Sequence, residues 1–370
     1  KQRFLKVFYE NFYRAYNPAA ADRLGIIYTP NEIVRFMVDS AEHLVQQNFG
    51  RLLGDEDVEI LDPATGTGTF ITEIIEHLPK NRLPFKYEKE IHCNEVAILP
   101  YYIANLNIEY TYSQKMGQYA EFKNICFVDT LDNLGFSSGK KYTEAGSLDF
   151  GGFSPENLER IKRQNKRKIS VIIGNPPYNA NQLNENENNK NREYPGVDKR
   201  LKDTYIAEST AQKTKLYDMY ARFIRWASDR LDKNGVIAFV SNNSFINAKT
   251  YDGFRKVVAK EFNEIYIIDM KGDARTSGER RRREGGNVFS DQIRVGVAVY
   301  FLIRKDRVKG CKIFYNCIDD YLPSETKKAY LRDNRIQDLP FDHIRPDKQH
   351  NWINLTENEW DDLLPVASKE

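Results

Sequence analysis

Two short motifs in this 370-residue chain combine residue types that could do chemistry. Residues 62–70 are DPATGTGTF, and residues 175–178 are NPPY. The two glycines of the first motif would let a ligand come close to the backbone. The carboxylate of Asp62 would suit a ligand that carries an ammonium group better than one that carries a pyrophosphate. Taken alone, a tight turn between a strand and a helix explains this loop almost as well.

The second motif could bind a planar amine. The side-chain oxygen of Asn175 and the carbonyl of Pro176 can each accept a hydrogen bond from such an amine, which localises the nitrogen lone pair and improves a poor nucleophile. Pro176 and Pro177 fix the backbone and remove competing N–H donors. Tyr178 offers a flat face to a planar base, a contact worth ~1–3 kcal/mol. A rigid turn is the alternative, but it does not explain the upstream glycine loop.

A run rich in β-branched residues precedes each motif, VEIL at 58–61 and ISVII at 169–173. Such runs predict buried parallel strands. In a doubly wound sheet, ligands bind beyond the carboxyl ends of the strands, where the strand order reverses. We therefore predict a doubly wound, mostly parallel α/β sheet whose first and fourth strands bring the two motifs to one crevice. Its seven predicted strands are 58–62, 88–95, 125–129, 169–173, 235–242, 265–270 and 294–304.

Acidic residues end the first three predicted strands. Glu95, after strand two, could accept both hydroxyls of a ribose. Asp129, after strand three, could accept from an exocyclic amine such as that of adenine. Each acid alone is more often a turn residue or a helix cap. Together with Asp62, however, they favour one shared ligand site.

A helix start and two polar segments complete the pattern. Thr29, Pro30 and Glu32 predict a capping box with proline at the first helical position; the helix start could also bind a carboxylate. Residues 179–200 are so polar that they predict a mobile loop, which could close over a substrate. Residues 272–287 contain Arg280 to Arg283, which could meet phosphates or belong to a solvated loop.

Composition sets the remaining limits. The hydrophobic fraction of 41% and charged fraction of 29% are ordinary for a soluble domain. Without a membrane-length apolar run or a signal peptide, a cytoplasmic location is expected. Four cysteines without a Cys-x-x-Cys pair and five histidines without an HExxH pattern predict no metal site. The net charge of +2 does not itself imply a nucleic-acid partner, although local basic clusters could.

The order of the motifs resembles that of the gamma class of adenine-N6 DNA methyltransferases, which use S-adenosylmethionine. The sequence YTP at 28–30 is followed by DPATGTGTF, the two acids and NPPY. The opening, FYRAYNP…DRLGIIYTPNEIVRFM, is similar to the methyltransferase part of single-chain type I (type ISP) restriction-modification enzymes. The resemblance implies a Rossmann-like S-adenosylmethionine-dependent methyltransferase fold with an N-terminal helical extension.

The same resemblance implies how the cofactor is held. Tyr28 and Thr29 would line its methionine end, Glu95 would bind the ribose, Val96 would contact the adenine, and Asp129 would bind the adenine amine. The implied cofactor-binding residues are Tyr28, Thr29, Pro30, Asp62, Pro63, Ala64, Gly66, Gly68, Glu95, Val96, Asp129 and Asn175.

The implied substrate is an adenine flipped out of double-stranded DNA, because its amine cannot meet a methyl donor inside the stack. Asn175 and Pro176 would orient that amine, with Pro177 completing the motif. Tyr178 would stack on the base, and Phe289 would contact its other side.

The resemblance also divides the chain. Residues 1–50 would form the helical part with YTP, 51–310 the methyltransferase core, and 311–370 a linker or the start of a target-recognition domain. Helix-like sequence at 3–16 would pack on the core. Type ISP enzymes also carry nuclease and helicase-like domains, so we expect this chain to be a piece of a longer polypeptide.

Three other functions compete. Motifs of the NPPY type also serve enzymes that methylate a protein glutamine or RNA, but the YTP element argues against both. A non-catalytic module that holds cofactor and DNA would not need Asn175. A nicotinamide-dependent oxidoreductase would need a third glycine, and Ile71 stands in its place.

Overall fold

In the computed structural model, the described residues form a central, nine-stranded, mostly parallel sheet. The structure describes residues 29–135, 154–178, 193–210, 216–289 and 293–353. The predicted N-terminal helix at 3–16 and most of the polar segment lie outside these residues. The strands are β1 (Ile60–Asp62), β2 (Ile91–Glu95), β3 (Ile125–Phe127), β4 (Ile169–Gly174), β5 (Leu231–Asn242), β6 (Glu264–Asp269), β7 (Val297–Arg304), β8 (Lys312–Cys317) and β9 (Asp342–Ile344).

Helices connect these strands and cover the sheet. The helices are α1 (Asn31–Phe49), α2 (Thr69–His77), α3 (Leu83–Lys89), α4 (Ile98–Met116), α5 (Pro155–Asn165), α6 (Pro195–Leu201), α7 (Met219–Arg230), α8 (Ser244–Asn247), α9 (Asp252–Glu261), α10 (Gly278–Glu284) and α11 (Ser324–Asp333). No helix within the described ranges is long and apolar enough to span a lipid bilayer.

The strand order is β3-β2-β1-β4-β5-β7-β6-β8-β9. Strands β1 to β5 pair in parallel, and β1 lies next to β4. The order therefore reverses between β1 and β4, where a doubly wound sheet binds its ligands. The predicted fold class and the neighbouring positions of the first and fourth strands are confirmed.

The predicted number of seven strands is wrong, because β8 and β9 extend the same sheet. β8 pairs in parallel with all six residues of β6, and β9 pairs with β8. Without β8, the backbone groups along one side of β6 would lack partners. The rings of Tyr266 in β6 and Phe314 in β8 also stack, with their centroids 4.6 Å apart. The sheet thus continues past residue 310, where the sequence suggests a boundary; the division into domains stays a prediction.

The two large hydrophobic cores among the described residues lie on the two faces of the sheet. Alternate residues of β5 point to opposite faces: Val236 and Ala238 pack with α1, α2 and α4, whereas Ile237 and Phe239 pack with α6, α7 and α9. Burial on both faces explains why the central strands are continuous apolar runs rather than alternating ones.

The polar segment 179–200 is not a loop throughout. Helix α6 begins at Pro195, which suits the first helical position because that residue needs no N–H. Val197 and Leu201 are buried in the second core. Asp198 accepts two hydrogen bonds from Arg222 of α7, at 2.7 and 3.0 Å. Tertiary packing and this ion pair therefore override the polar composition.

Ile237→Ala tests the central position of β5. Ile237 is fully buried and pairs with Ile172 and Leu302 of the neighbouring strands. We expect the substitution to lower the free energy of unfolding by ~2–5 kcal/mol, as measured by urea denaturation. Val308→Ala is the control, because Val308 is 52% exposed and should change stability little. Equal effects of the two substitutions would contradict the assigned core.

Candidate active site

The loop after β1 holds a buried carboxylate. Asp62 is fully buried, and its Oδ1 accepts a hydrogen bond from the Ala64 N–H at 3.0 Å. Its Oδ2 is buried and has no hydrogen-bond partner in the described part of the chain. Burial raises the pKa of Asp62 to about 8. A cationic group beside Oδ2 would favour the ionised carboxylate and satisfy this oxygen.

The two glycines of this loop serve different purposes. Gly66 has φ of 56°, and its N–H donates to Glu95 Oε2 at 2.8 Å. A Cβ at Gly66 would have no atom of the described residues within 4 Å. Gly68 has φ of 85° at the start of α2, and a Cβ there would lie 3.3 Å from the Ala104 Cα. Gly66 therefore keeps the backbone open to a ligand, whereas Gly68 allows the loop to approach α4.

The acids after β2 and β3 lie at the same edge. Glu95 Oε1 accepts from the Ala97 N–H at 2.8 Å, and burial raises the pKa of Glu95 to about 7. Asp129 Oδ1 accepts from the Leu131 N–H at 3.1 Å. Each acid is 8% exposed, whereas Val96 is 41% exposed. The backbone orients both carboxylates, and Val96 presents an apolar surface next to them.

The NPPY motif follows β4 directly. The Asn175 side-chain Nδ2 donates to the Thr29 hydroxyl at 2.9 Å. Asn175 Oδ1 is buried, and no described residue donates to it. Pro176 is buried and Pro177 half-buried. The amide is thus oriented at one end and has an unused acceptor at the other.

The bond to Thr29 also corrects the predicted capping box. Helix α1 begins at Asn31, directly after Pro30, and no side chain in the described part of the chain caps its first turn. The Thr29 hydroxyl accepts from Asn175. Pro30 therefore precedes the first helical residue, and the YTP element contacts the NPPY motif.

Two aromatic rings stand beside the amide. Tyr178 is 5% exposed, and burial raises its pKa well above the usual value. Its hydroxyl lies near the Asn175 side chain without the geometry of a hydrogen bond. The centroids of the Phe289 and Tyr178 rings lie 5.8 Å apart, and the angle between the ring planes is 78°. Because the rings contact each other, a base could lie between them only if one ring moved.

Gly174 is a site residue that the sequence analysis missed. A Cβ at Gly174 would lie 2.8 Å from Asp62 Oδ1, so only glycine leaves room for that carboxylate. The ends of β1 and β4 therefore touch through these two residues. A glycine at the end of an otherwise β-branched run signals such a close approach and could have been recognised.

Tyr194 and Thr130 were also missed. The Tyr194 hydroxyl donates to Asp129 Oδ2 at 3.0 Å, and the Thr130 hydroxyl donates to the Pro63 carbonyl at 2.6 Å. Tyr194 lies 65 residues from Asp129 in the sequence. Nothing in its local sequence predicts the contact.

The structure thus brings together nearly all the predicted site residues. One continuous set of contacts joins Thr29 to Asn175, Gly174 to Asp62, and Gly66 to Glu95. Tyr28 lies outside the described residues. The assigned roles in binding and catalysis stay predictions.

Comparison with known proteins identifies the family. A model of the N-6 DNA methylase family matches residues 2–262. The chain is 62% identical to part of the protein in the cryo-EM structure of a DrdV–DNA complex, with a TM-score of 0.91. It is 39% identical to a nuclease-deletion mutant of the type ISP restriction-modification enzyme LlaGI in complex with a DNA substrate mimic, with a TM-score of 0.85. It is 35% identical to the ATP-dependent type ISP restriction-modification enzyme LlaBIII bound to DNA, with a TM-score of 0.88.

The fold and the two motifs therefore define a methyltransferase domain of the kind found in restriction-modification enzymes. The chain belongs to the N-6 DNA methylase family. The resemblance to type ISP enzymes is confirmed. These three matches cover 99%, 93% and 100% of this chain but 35%, 28% and 25% of the larger chains.

Asp62→Asn tests the buried carboxylate in the protein without ligand. Because the folded pKa of about 8 exceeds the ordinary value of 3.8, the folded protein binds more protons than the unfolded chain between these values. The free energy of unfolding should therefore fall as pH rises through this window, by at most ~1.4 kcal/mol per pH unit from Asp62. In the variant, this contribution should be absent in urea denaturation at pH 5 to 8. Asp306→Asn, on the exposed turn after β7, is the control and should keep the wild-type dependence.

Proposed function

We propose that this chain transfers a methyl group from S-adenosylmethionine to the N6 amine of an adenine in DNA. The observation that carries the proposal is the Asn175 amide, which is fixed by Thr29 and has a buried, unused oxygen. Leaving a buried acceptor unpaired costs ~1–3 kcal/mol. An amino group conjugated to a ring could donate to this oxygen, which would remove the cost. The same hydrogen bond would orient the amino group.

The hydrogen-bond acceptors around the loop fit S-adenosylmethionine. Asp62 Oδ2 would accept from the ammonium group, and the open backbone at Gly66 leaves room for the amino-acid part. Glu95 would accept from the ribose hydroxyls, Asp129 from the adenine amine, and Val96 would pack on the adenine ring. When bound, the cofactor supplies a methyl group on a positively charged sulfur.

The chain itself contributes orientation rather than acid–base chemistry. Asn175 Oδ1 and the Pro176 carbonyl would accept the two amine hydrogens, which directs the nitrogen lone pair away from the ring. The Tyr178 and Phe289 rings contact each other, so one of them would have to move before Tyr178 could stack on the base. Extrusion of the adenine from the duplex costs a few kcal/mol, which this stacking would partly offset.

We also propose that the domain acts within a longer restriction-modification polypeptide. The similar chains are about three to four times longer. One of them is a nuclease-deletion mutant of a type ISP restriction-modification enzyme, and another is an ATP-dependent enzyme of this type. Recognition of a DNA sequence, and any coupled translocation or cleavage, would then belong to other parts of that polypeptide.

A parallel transfer assay tests the reaction. The full-length protein is incubated with methyl-labelled S-adenosylmethionine and DNA, RNA or protein, and the acceptor is then digested. Label on N6-methyladenosine from DNA is the expected result. Label on RNA or on a glutamine would overturn the choice of substrate. Absence of label on every acceptor, with cofactor binding retained, would overturn the proposed activity.

Asn175→Ala tests the role of the amide. We expect methyl transfer to fall at least ~100-fold, because the amine loses an oriented acceptor in the transition state. Affinity for S-adenosylmethionine, measured by calorimetry, should change only a few-fold. Asn334→Ala is the control, because Asn334 bonds to the Tyr330 carbonyl of α11. Normal transfer by the Asn175 variant would remove this residue from the mechanism.

Cofactor binding should release protons near pH 7. In the free protein, burial raises the pKa of Asp62 to about 8, so most of the carboxyl groups are protonated. An ammonium group at Oδ2 favours the ionised form, so up to about one proton leaves on binding. Calorimetry in buffers of different ionisation enthalpy measures this number. It should fall in Asp62→Asn and above pH 9, but not in Asp306→Asn; a wild-type value of zero would contradict the role of Asp62.

A further inference from the structure

We propose that helix α10 binds the phosphate backbone of DNA beside the extruded nucleotide. The proposal rests on the proposed function, because it takes DNA as the substrate. Helix α10 has the sequence GERRRRE, with four arginines, two glutamates and no apolar residue. None of its residues is buried, so it contributes nothing to either core.

The position of α10 places it at the rim of the candidate base pocket. It lies between the carboxyl end of β6 and the start of β7, which is the edge where the acids and NPPY lie. Phe289 follows Glu284 by only five residues, so their Cα atoms are at most ~18 Å apart. The Phe289 ring contacts Tyr178. A nucleotide extruded at this pocket stays bonded to its flanking phosphates, which must pass along the same rim.

The protein holds α10 firmly although the helix is exposed. The Lys327 side chain is fully buried, and its Nζ donates to the Met270 and Glu284 carbonyls at 2.8 and 2.7 Å. The Tyr321 N–H donates to the Arg283 carbonyl at 3.0 Å. A buried lysine thus holds the end of an exposed helix in place. This indicates that the position of the arginines matters for function.

The two glycines after α10 support the same fixed position. A Cβ at Gly285 would lie 2.2 Å from the Leu322 carbonyl oxygen, and one at Gly286 would lie 2.7 Å from the Ser324 nitrogen. Gly285 also has φ of 64°. Only glycines let the chain pass this closely to the start of α11, which seats the helix against the body of the protein.

Arg282 and Arg283 of α10 are bound loosely, unlike the structural arginines of this fold, whereas Arg281 donates to the Gly285 carbonyl at 2.8 Å. Arg225 is 1% exposed and forms two bonds of 2.9 Å to Glu261. By contrast, the Arg282 side chain is 79% exposed and lies 3.6 Å from Glu279, and the Arg283 side chain is 60% exposed and lies 3.8 Å from Asp320. Such exposed pairs contribute little to stability and exchange readily for a phosphate, which guanidinium binds bidentately.

A salt series on the full-length protein tests the inference. We compare binding of a short DNA duplex by the wild type and by the triple variant Arg280→Gln, Arg282→Gln and Arg283→Gln. Each lost phosphate contact should reduce the slope of log K against log salt by about one, so a loss of about two to three is expected. Affinity for S-adenosylmethionine should not change, because these side chains are exposed outside the cofactor loop.

Two further variants separate position from charge. The control replaces Lys233, Arg307 and Lys309, which are exposed at the opposite edge of the sheet, by Gln and removes the same charge. It should keep the wild-type slope. Replacing the three α10 arginines by Lys should also keep most of the slope, because the slope counts neutralised phosphates rather than their geometry.

The outcomes distinguish this inference from the proposed function. An unchanged slope in the glutamine variant, or an equal loss in the opposite-edge control, overturns the inference. If the slope falls only in the α10 variant but the wild type methylates no acceptor, α10 binds DNA as inferred and the proposed function fails.

Discussion

The contact between the ends of β1 and β4 is the constraint on which the site depends. The two strands pair in parallel, and Gly174 leaves just enough room for the Asp62 carboxylate. Asn175 follows at the next position, where its amide reaches Thr29. A larger residue at Gly174 would push apart the loop that fits the cofactor and the motif that fits the target amine. The distance between a methyl donor and its acceptor would thus be set by backbone packing rather than by a flexible side chain.

Burial gives the site its electrostatic character. Asp62 and Glu95 have raised pKa values because they lie at strand ends that helices cover on both faces. Among the described residues, no basic side chain donates a hydrogen bond to either carboxylate, and backbone N–H groups orient both. By contrast, Arg222 and Arg225 form close ion pairs with acidic side chains, and these pairs help to hold the helices together. Ionising a buried carboxyl group without a counterion is costly, and a ligand with complementary groups would lower that cost.

The proposed DNA-facing edge combines fixed and movable parts. Helix α10 is fixed by Lys327 and two glycines, while the Arg282 and Arg283 side chains stay exposed. The Tyr178 and Phe289 rings touch each other and would have to separate for a base to enter. In this arrangement the phosphate contacts would position the strand, and the movement needed to admit the base would be confined to an aromatic side chain. The small overall charge of +2 is compatible with this, because the arginines are concentrated on one exposed turn.

The sequence alone determined the fold class, the switch between β1 and β4, and most of the candidate site. It could do so because a strand end and the loop that follows it are local, and parallel strands carry such loops to one edge. Only the tertiary structure decided that β8 and β9 join the sheet, that Thr29 bonds to Asn175 instead of capping α1, and that Tyr194 reaches Asp129. These contacts join residues far apart in the chain. They form between polar groups that still lack a partner once the helices and strands have packed, so no local pattern of residues predicts them.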